Sequence, residues 1–223
     1  MLLIASIVYL TECQPEQISC TCDCECPVFY VGGAASYVDT HFPQHQLVHD
    51  PDGVFKNKTN PTYLGWQAYG GIEMWWNSNW RFGAEVGYKN LAHFKTSYLK
   101  SKRDSFSDAF DGQVSLRYLH CTGLNLFFKG GAAYVRTRIV EDGYPYFYQE
   151  QKYYFSNIYP EITLGFGYYL CSWLNVVASW SHIFGPTSTS RYLQNFNDSS
   201  VTLRPAQAPG FDTISIGLEF FIE

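Results

Sequence analysis

Hydrophobic and polar residues alternate one for one through much of this chain. In "DTISIGLEFFIE", Ile214, Ile216, Leu218, Phe220 and Ile222 fall on one parity and Thr213, Ser215, Gly217 and Glu219 on the other, with Phe221 the apolar exception. Successive side chains of a pleated backbone point to opposite sides, so this pattern predicts a strand with one greasy and one polar face. Eight such stretches, bounded by turn residues, run approximately over 28–38, 63–76, 80–90, 109–119, 124–138, 158–170, 174–184 and 212–222. Residues 1–27 stand apart as an export-signal remnant and a Cys-rich lead-in, which leaves 28–223 as one all-β unit.

The connections alternate in length. "NSN", "HCTG" and "CSW" join strands two and three, four and five, and six and seven at tight-turn length. The other four connections read as loops of roughly 16 to 27 residues, more than a compact soluble domain usually carries. Tight turns at one end and long loops at the other are how an eight-stranded antiparallel, transmembrane up-and-down β-barrel is threaded. The faces agree. Strand three sets Trp80, Phe82, Ala84, Val86 and Tyr88 against Arg81, Gly83, Glu85, Gly87 and Lys89. Strand four sets Phe110, Val114, Leu116 and Tyr118 against Asp111, Gln113, Ser115 and Arg117. The predicted inward set therefore holds Glu73, Glu85, Asp111, Glu161 and Glu219 against Arg81, Lys89, Arg117 and Lys129. An eight-stranded barrel is filled by its own side chains, so these charges should pair into a plug. Trp75, Trp76, Trp80, Tyr118, Tyr168, Tyr169 and Trp173 cluster near the tight turns, as an interfacial aromatic girdle would.

Composition points the same way. Hydrophobic residues make up 46% and charged residues 16%, against roughly 25% charged in an ordinary soluble domain. Past "MLLIASIVYL", an export-signal-like apolar start without the usual basic residues, no run approaches the ~20 apolar residues of a spanning helix. With a net charge of −5 and no basic stripe, the sequence excludes a nucleic-acid partner.

On these grounds the chain resembles the OmpA-type outer-membrane barrels and the related surface-antigen barrels of Gram-negative bacteria. The ending "SIGLEFFI" is similar to their terminal strand signal, with Ser215, Gly217, Phe220 and Ile222 in the signal places, although family members usually finish on the aromatic. The resemblance implies an outer-membrane location and a shell of lipid and lipopolysaccharide. It also implies recognition of the last strand by the barrel assembly machinery, and a structural or surface-interaction role through outer loops that meet a host or surface ligand. A soluble ligand-binding barrel is the alternative, and an enzyme acting on lipid A or a small pore stand behind it.

No catalytic constellation emerges. Ser181 and His182 are adjacent on a strand and so point to opposite faces, and Phe184 stands where a His-x-Ser pairing would need serine. No cofactor and no metal are expected. Cys20, Cys22, Cys24 and Cys26 alternate too closely for the usual zinc spacing, and His41, His45 and His49 flank Pro43 in a loop. "LTEC" before Cys13 lacks the small residue of a lipoprotein site, and the triplets at Asn57 and Asn197 match a glycosylation pattern foreign to this setting. Cys121 and Cys171 sit in neighbouring tight turns, close enough in the threading to form a disulfide.

Overall fold

The computed structural model describes residues 27–41, 62–98, 101–142, 151–185 and 210–222. These form a closed barrel of eight antiparallel strands in sequence order, with no helix among the described residues. The strands are β1 (Val28–His41), β2 (Thr62–Trp75), β3 (Trp80–Tyr98), β4 (Ser101–Leu119), β5 (Leu124–Asp142), β6 (Gln151–Cys171), β7 (Leu174–Ile183) and β8 (Gly210–Ile222). β8 returns to β1 in an unbroken register from Phe29↔Ile222 to His41↔Gly210. Closure leaves the barrel wall without an open edge, which an isolated sheet of this length would expose.

Local chemistry fixes the tight turns. In the first, the Asn77 side-chain oxygen accepts from the backbone N–H groups of Asn79 at 3.0 Å and Trp80 at 3.1 Å, which replaces ladder bonds that the turn cannot make. In the second, Gly123 adopts φ 86°, a left-handed conformation that a side chain disfavours. Its N–H donates to the His120 carbonyl at 3.0 Å. Cys121 in the second turn and Cys171 at the end of β6 are each disulfide-bonded. Removing the bond at Cys121 with C121S should cost about 2–3 kcal/mol, because a disulfide restricts the unfolded chain. Oxidised C121S should unfold at lower urea than oxidised wild type; coincidence of the two would overturn this.

Four strands are longer than their sequence pattern indicates. β3 and β4 stay paired out to Tyr98↔Ser101, and β5 and β6 out to Glu141↔Gln151. Two of the four expected long loops are therefore mostly strand. The reason is physical: backbone ladder bonds make a strand whether or not one face carries a greasy stripe, so pairing continues where alternation fades. A bulge between Asn90 and Ala92 adds to the effect, since it breaks the parity and buries Leu91 and Ala92 together. Among the described residues, β3 to β6 extend farther from the tight turns than β1, β2, β7 and β8 do.

The barrel is polar inside and apolar outside. Large apolar residues such as Val31, Leu64, Phe82, Val86, Val114 and Ile216 are exposed on the outer face, while the charged set is buried within. At the turn end an aromatic rim includes Trp80 against Tyr118 at 5.1 Å and Trp173 stacked on Phe220 at 6.2 Å. A second rim lies toward the outer end, where Tyr88 packs on Trp66 at 5.3 Å and Phe110 at 5.0 Å. Trp75 and Tyr169 depart from the expected girdle. Both lie on the inward parity, and they pack with Val28, Tyr30, Leu119 and Phe221 inside the barrel. Parity outranks position along the strand.

Candidate functional site

The lumen is where most of the chemistry collects. All nine charged residues expected there are buried: Glu73, Arg81, Glu85, Lys89, Asp111, Arg117, Lys129, Glu161 and Glu219. They form three tiers. Nearest the turns, Arg117 donates through Nε to Glu73 at 2.8 Å and through its two terminal nitrogens to Glu219 at 2.8 and 3.2 Å. Its ring neighbours are Phe127, Phe221 and Tyr30, at 5.2, 5.6 and 5.7 Å from the guanidinium carbon. Arg81 lies 3.9 Å from Glu73 and 4.0 Å over the Trp75 ring. In the middle tier, Glu85 accepts from Lys129 at 2.5 Å and from the Tyr30 hydroxyl at 2.7 Å. Farther out, Lys89 pairs with Asp111 at 3.2 Å and with Glu161.

Apolar side chains close the tiers at both ends. Val28, Tyr30, Leu119, Tyr169 and Phe221 form the inner plug. Val38, Leu91, Val135, Ile183 and Phe211, each at most 1% exposed, form the outer one. Between the plugs lies a cavity of about 20 Å³, lined in part by Lys89, Asp111, Gln113, Lys129 and Thr163. That is room for about one water, so the interior is packed and offers no solute path.

Two uncharged members of the network, Asn125 and Asn175, went unpredicted. Asn125 accepts from Arg117 at 3.1 Å and donates to Asn175 at 3.0 Å, and Asn175 donates to Glu219 at 2.8 Å. Gln113 donates to Asp111 at 2.8 Å. For the two asparagines the signal was available, since each is a polar residue on the inward parity of its strand; counting charges alone passes over them. Hydroxyls line the opposite wall, where Ser36 bonds Ser215 at 2.9 Å.

On the outer surface the apolar band gives way to polar groups. Asp108 accepts from the Tyr88 hydroxyl at 3.1 Å and from Arg136, whose guanidinium carbon stands 5.0 Å over Phe110. Arg138 follows two residues on, exposed and 6.0 Å over Tyr154. His182 bonds Asp212 at 2.8 Å, whereas Ser181 is buried on the inward parity, so the two do not meet. Of the assembly pattern, Ser215 and Gly217 face inward and Phe220 and Ile222 outward on β8. Cys13, the Cys20 to Cys26 cluster, His45, His49, Asn57 and Asn197 lie outside the described residues, as does the His41 side chain.

The site therefore defines a class: a closed eight-stranded barrel with a plugged ionic interior and an apolar exterior. No protein-family model and no curated protein sequence matches the chain. Among solved structures it is similar to Ail, the attachment invasion locus protein of Yersinia pestis, at 13% identity over 88% of this chain and 97% of that one, with a TM-score of 0.49. It is also similar to Neisserial surface protein A, at 8% identity over 87% and 96% with a TM-score of 0.48. OprG, an outer membrane protein of Pseudomonas aeruginosa, aligns at 11% identity over 89% and 97% with a TM-score of 0.46. The fold class stands on the closed strand order and register, independently of these likenesses.

Proposed function

We propose that this protein resides in the outer membrane of a Gram-negative bacterium, where its barrel serves as an anchor and its outer end as a surface for interaction. The observation that carries this reading is the inverted distribution of polarity. Exposing a belt of Val, Leu, Ile and Phe while burying nine charges is unfavourable in water and favourable in hydrocarbon. The packed lumen supports anchoring over transport. It also weighs against a soluble ligand-binding barrel, because such sites need roughly 300–1,000 Å³, whereas the cavity here is about 20 Å³. No enzymatic role is proposed, since Ser181 and His182 face opposite ways.

Arg136 and Arg138, just beyond the apolar band, suit the phosphates of lipopolysaccharide, which a forked guanidinium binds well. The outer ends of β3 to β6 together with the connections above them carry the contact with a host or surface ligand. The exposed Phe220 and Ile222 on β8 suit recognition by the barrel assembly machinery. An epitope tag between β5 and β6 should be reached by antibody on intact cells, and one at Ser78 only after permeabilisation. The unboiled protein should migrate apart from the boiled form on a gel. Recovery of a tagged, folded protein in the soluble fraction without detergent would overturn the reading.

A further inference from the structure

The buried charges do not balance tier by tier. Glu73 and Glu219 meet Arg81 and Arg117, and Glu85 meets Lys129. That leaves Asp111 and Glu161 to share Lys89. Two carboxylates against one ammonium place a surplus negative charge between two apolar plugs, where an uncompensated charge is costly.

The same tier holds oxygens with nothing to bind. Asp111 Oδ1, Gln113 Oε1 and Thr163 Oγ1 are buried without a hydrogen-bond partner, in residues 6%, 5% and 7% exposed. All three residues line the cavity of about 20 Å³. Lys89 occupies Asp111 Oδ2, and Gln113 spends its amide nitrogen on that same oxygen, so Oδ1 and the amide carbonyl are left over. Gly87 keeps the space open, because a Cβ there would stand 2.5 Å from Asp111 Oδ1.

We propose that this chamber binds one hard monovalent cation, of which sodium is the probe, through Asp111 Oδ1, Gln113 Oε1 and Thr163 Oγ1, with Glu161 adding nearby charge. An all-oxygen donor set suits a hard cation. Among the described residues no group of three or more His, Cys, Asp or Glu could hold a metal ion, and a surplus of one negative charge matches a monovalent cation. A proton would cancel the charge, yet it would satisfy one oxygen and fill no volume. A water would satisfy the oxygens and leave the charge. A cation answers both.

The test is to refold the full chain in detergent in sodium chloride or in N-methyl-D-glucamine chloride at equal ionic strength, then follow thermal unfolding by gel mobility. The sodium form should unfold about 3–5 °C higher once sodium exceeds its dissociation constant tenfold. D111N, which leaves Lys89 paired with Glu161, should lose that salt difference while still folding. T163V, nearly isosteric, should fold and show a reduced difference. Crystals soaked in thallium should give an anomalous peak at Gln113 and Thr163. Equal midpoints of wild type in the two salts would overturn the proposal. So would a D111N variant more stable than wild type by the same margin in both salts, the result expected if Asp111 and Glu161 share a proton.

Discussion

Arg117→Ala should cost about 3–5 kcal/mol of stability, more than any other single change in the lumen. Arg117 is 0% exposed and is the cation that Glu73 and Glu219 both grip. Its loss strands Glu219, leaves Glu73 only the longer contact to Arg81, and leaves Asn125 without its donor. Much of the cost is the penalty of leaving partners charged and buried. The double variant R117M and E219Q should therefore recover most of the loss, because it removes one charge of each sign and leaves Glu73 with Arg81. Arg117→Lys should fall between, since one ammonium cannot fork onto Glu73 and Glu219 as the guanidinium does. Urea unfolding of the refolded variants checks all three. A mild R117A phenotype would mean that water reaches this tier.

The strand count, the tight turns and the identity of the buried charges were legible in the sequence because all depend on parity. On β3, placing Trp80 outside puts Arg81, Glu85 and Lys89 inside without further information, where they meet Glu73 on β2, Lys129 on β5, and Asp111 and Glu161 on β4 and β6. Which acid meets which base was not legible. Lys129 meets Glu85 across the lumen and not along a strand, a contact that depends on the stagger of the closed barrel. Tyr30 reaches the same carboxylate from β1, and nothing near Tyr30 in the chain announces that partner.

The outward extension of β3 to β6 escaped for a different reason. In "AHFKTSYLKSKRDSFSD" charged and hydroxyl residues interrupt both parities, and the bulge at Asn90/Ala92 shifts the phase of what alternation is left. Hydrophobic period reports the medium around a strand, whereas hydrogen bonding makes the strand. The two coincide only within the apolar band, so sequence reading finds the band and stops at its margin. Trp75 and Tyr169 were misplaced by the converse error, in which aromatic character near a turn was weighed above parity, although each sits one residue away from an outward neighbour, Met74 or Tyr168.

Val114→Arg should cost about 2–4 kcal/mol when the protein is refolded into lipid vesicles, the price of a cation at mid-bilayer depth on a barrel wall. Val114 is 66% exposed and stands midway along β4 between Tyr118 at the turn-end rim and Phe110 at the outer rim. No lumen contact is touched, since Val114 lies on the outward parity beside inward Gln113 and Ser115. In water an exposed valine tolerates arginine within about 0.5 kcal/mol, so the sign and size of the change report the solvent around the belt. Depth supplies the control. Val86→Arg, one step from Tyr88 at the outer rim, should cost less than Val114→Arg, and Ser172→Arg in the exposed third turn should cost about 0–1 kcal/mol. A graded series of this kind is what a hydrocarbon slab between two aromatic rims imposes, whereas a flat series near zero would mean that the belt faces water and that the buried charges have some other cause.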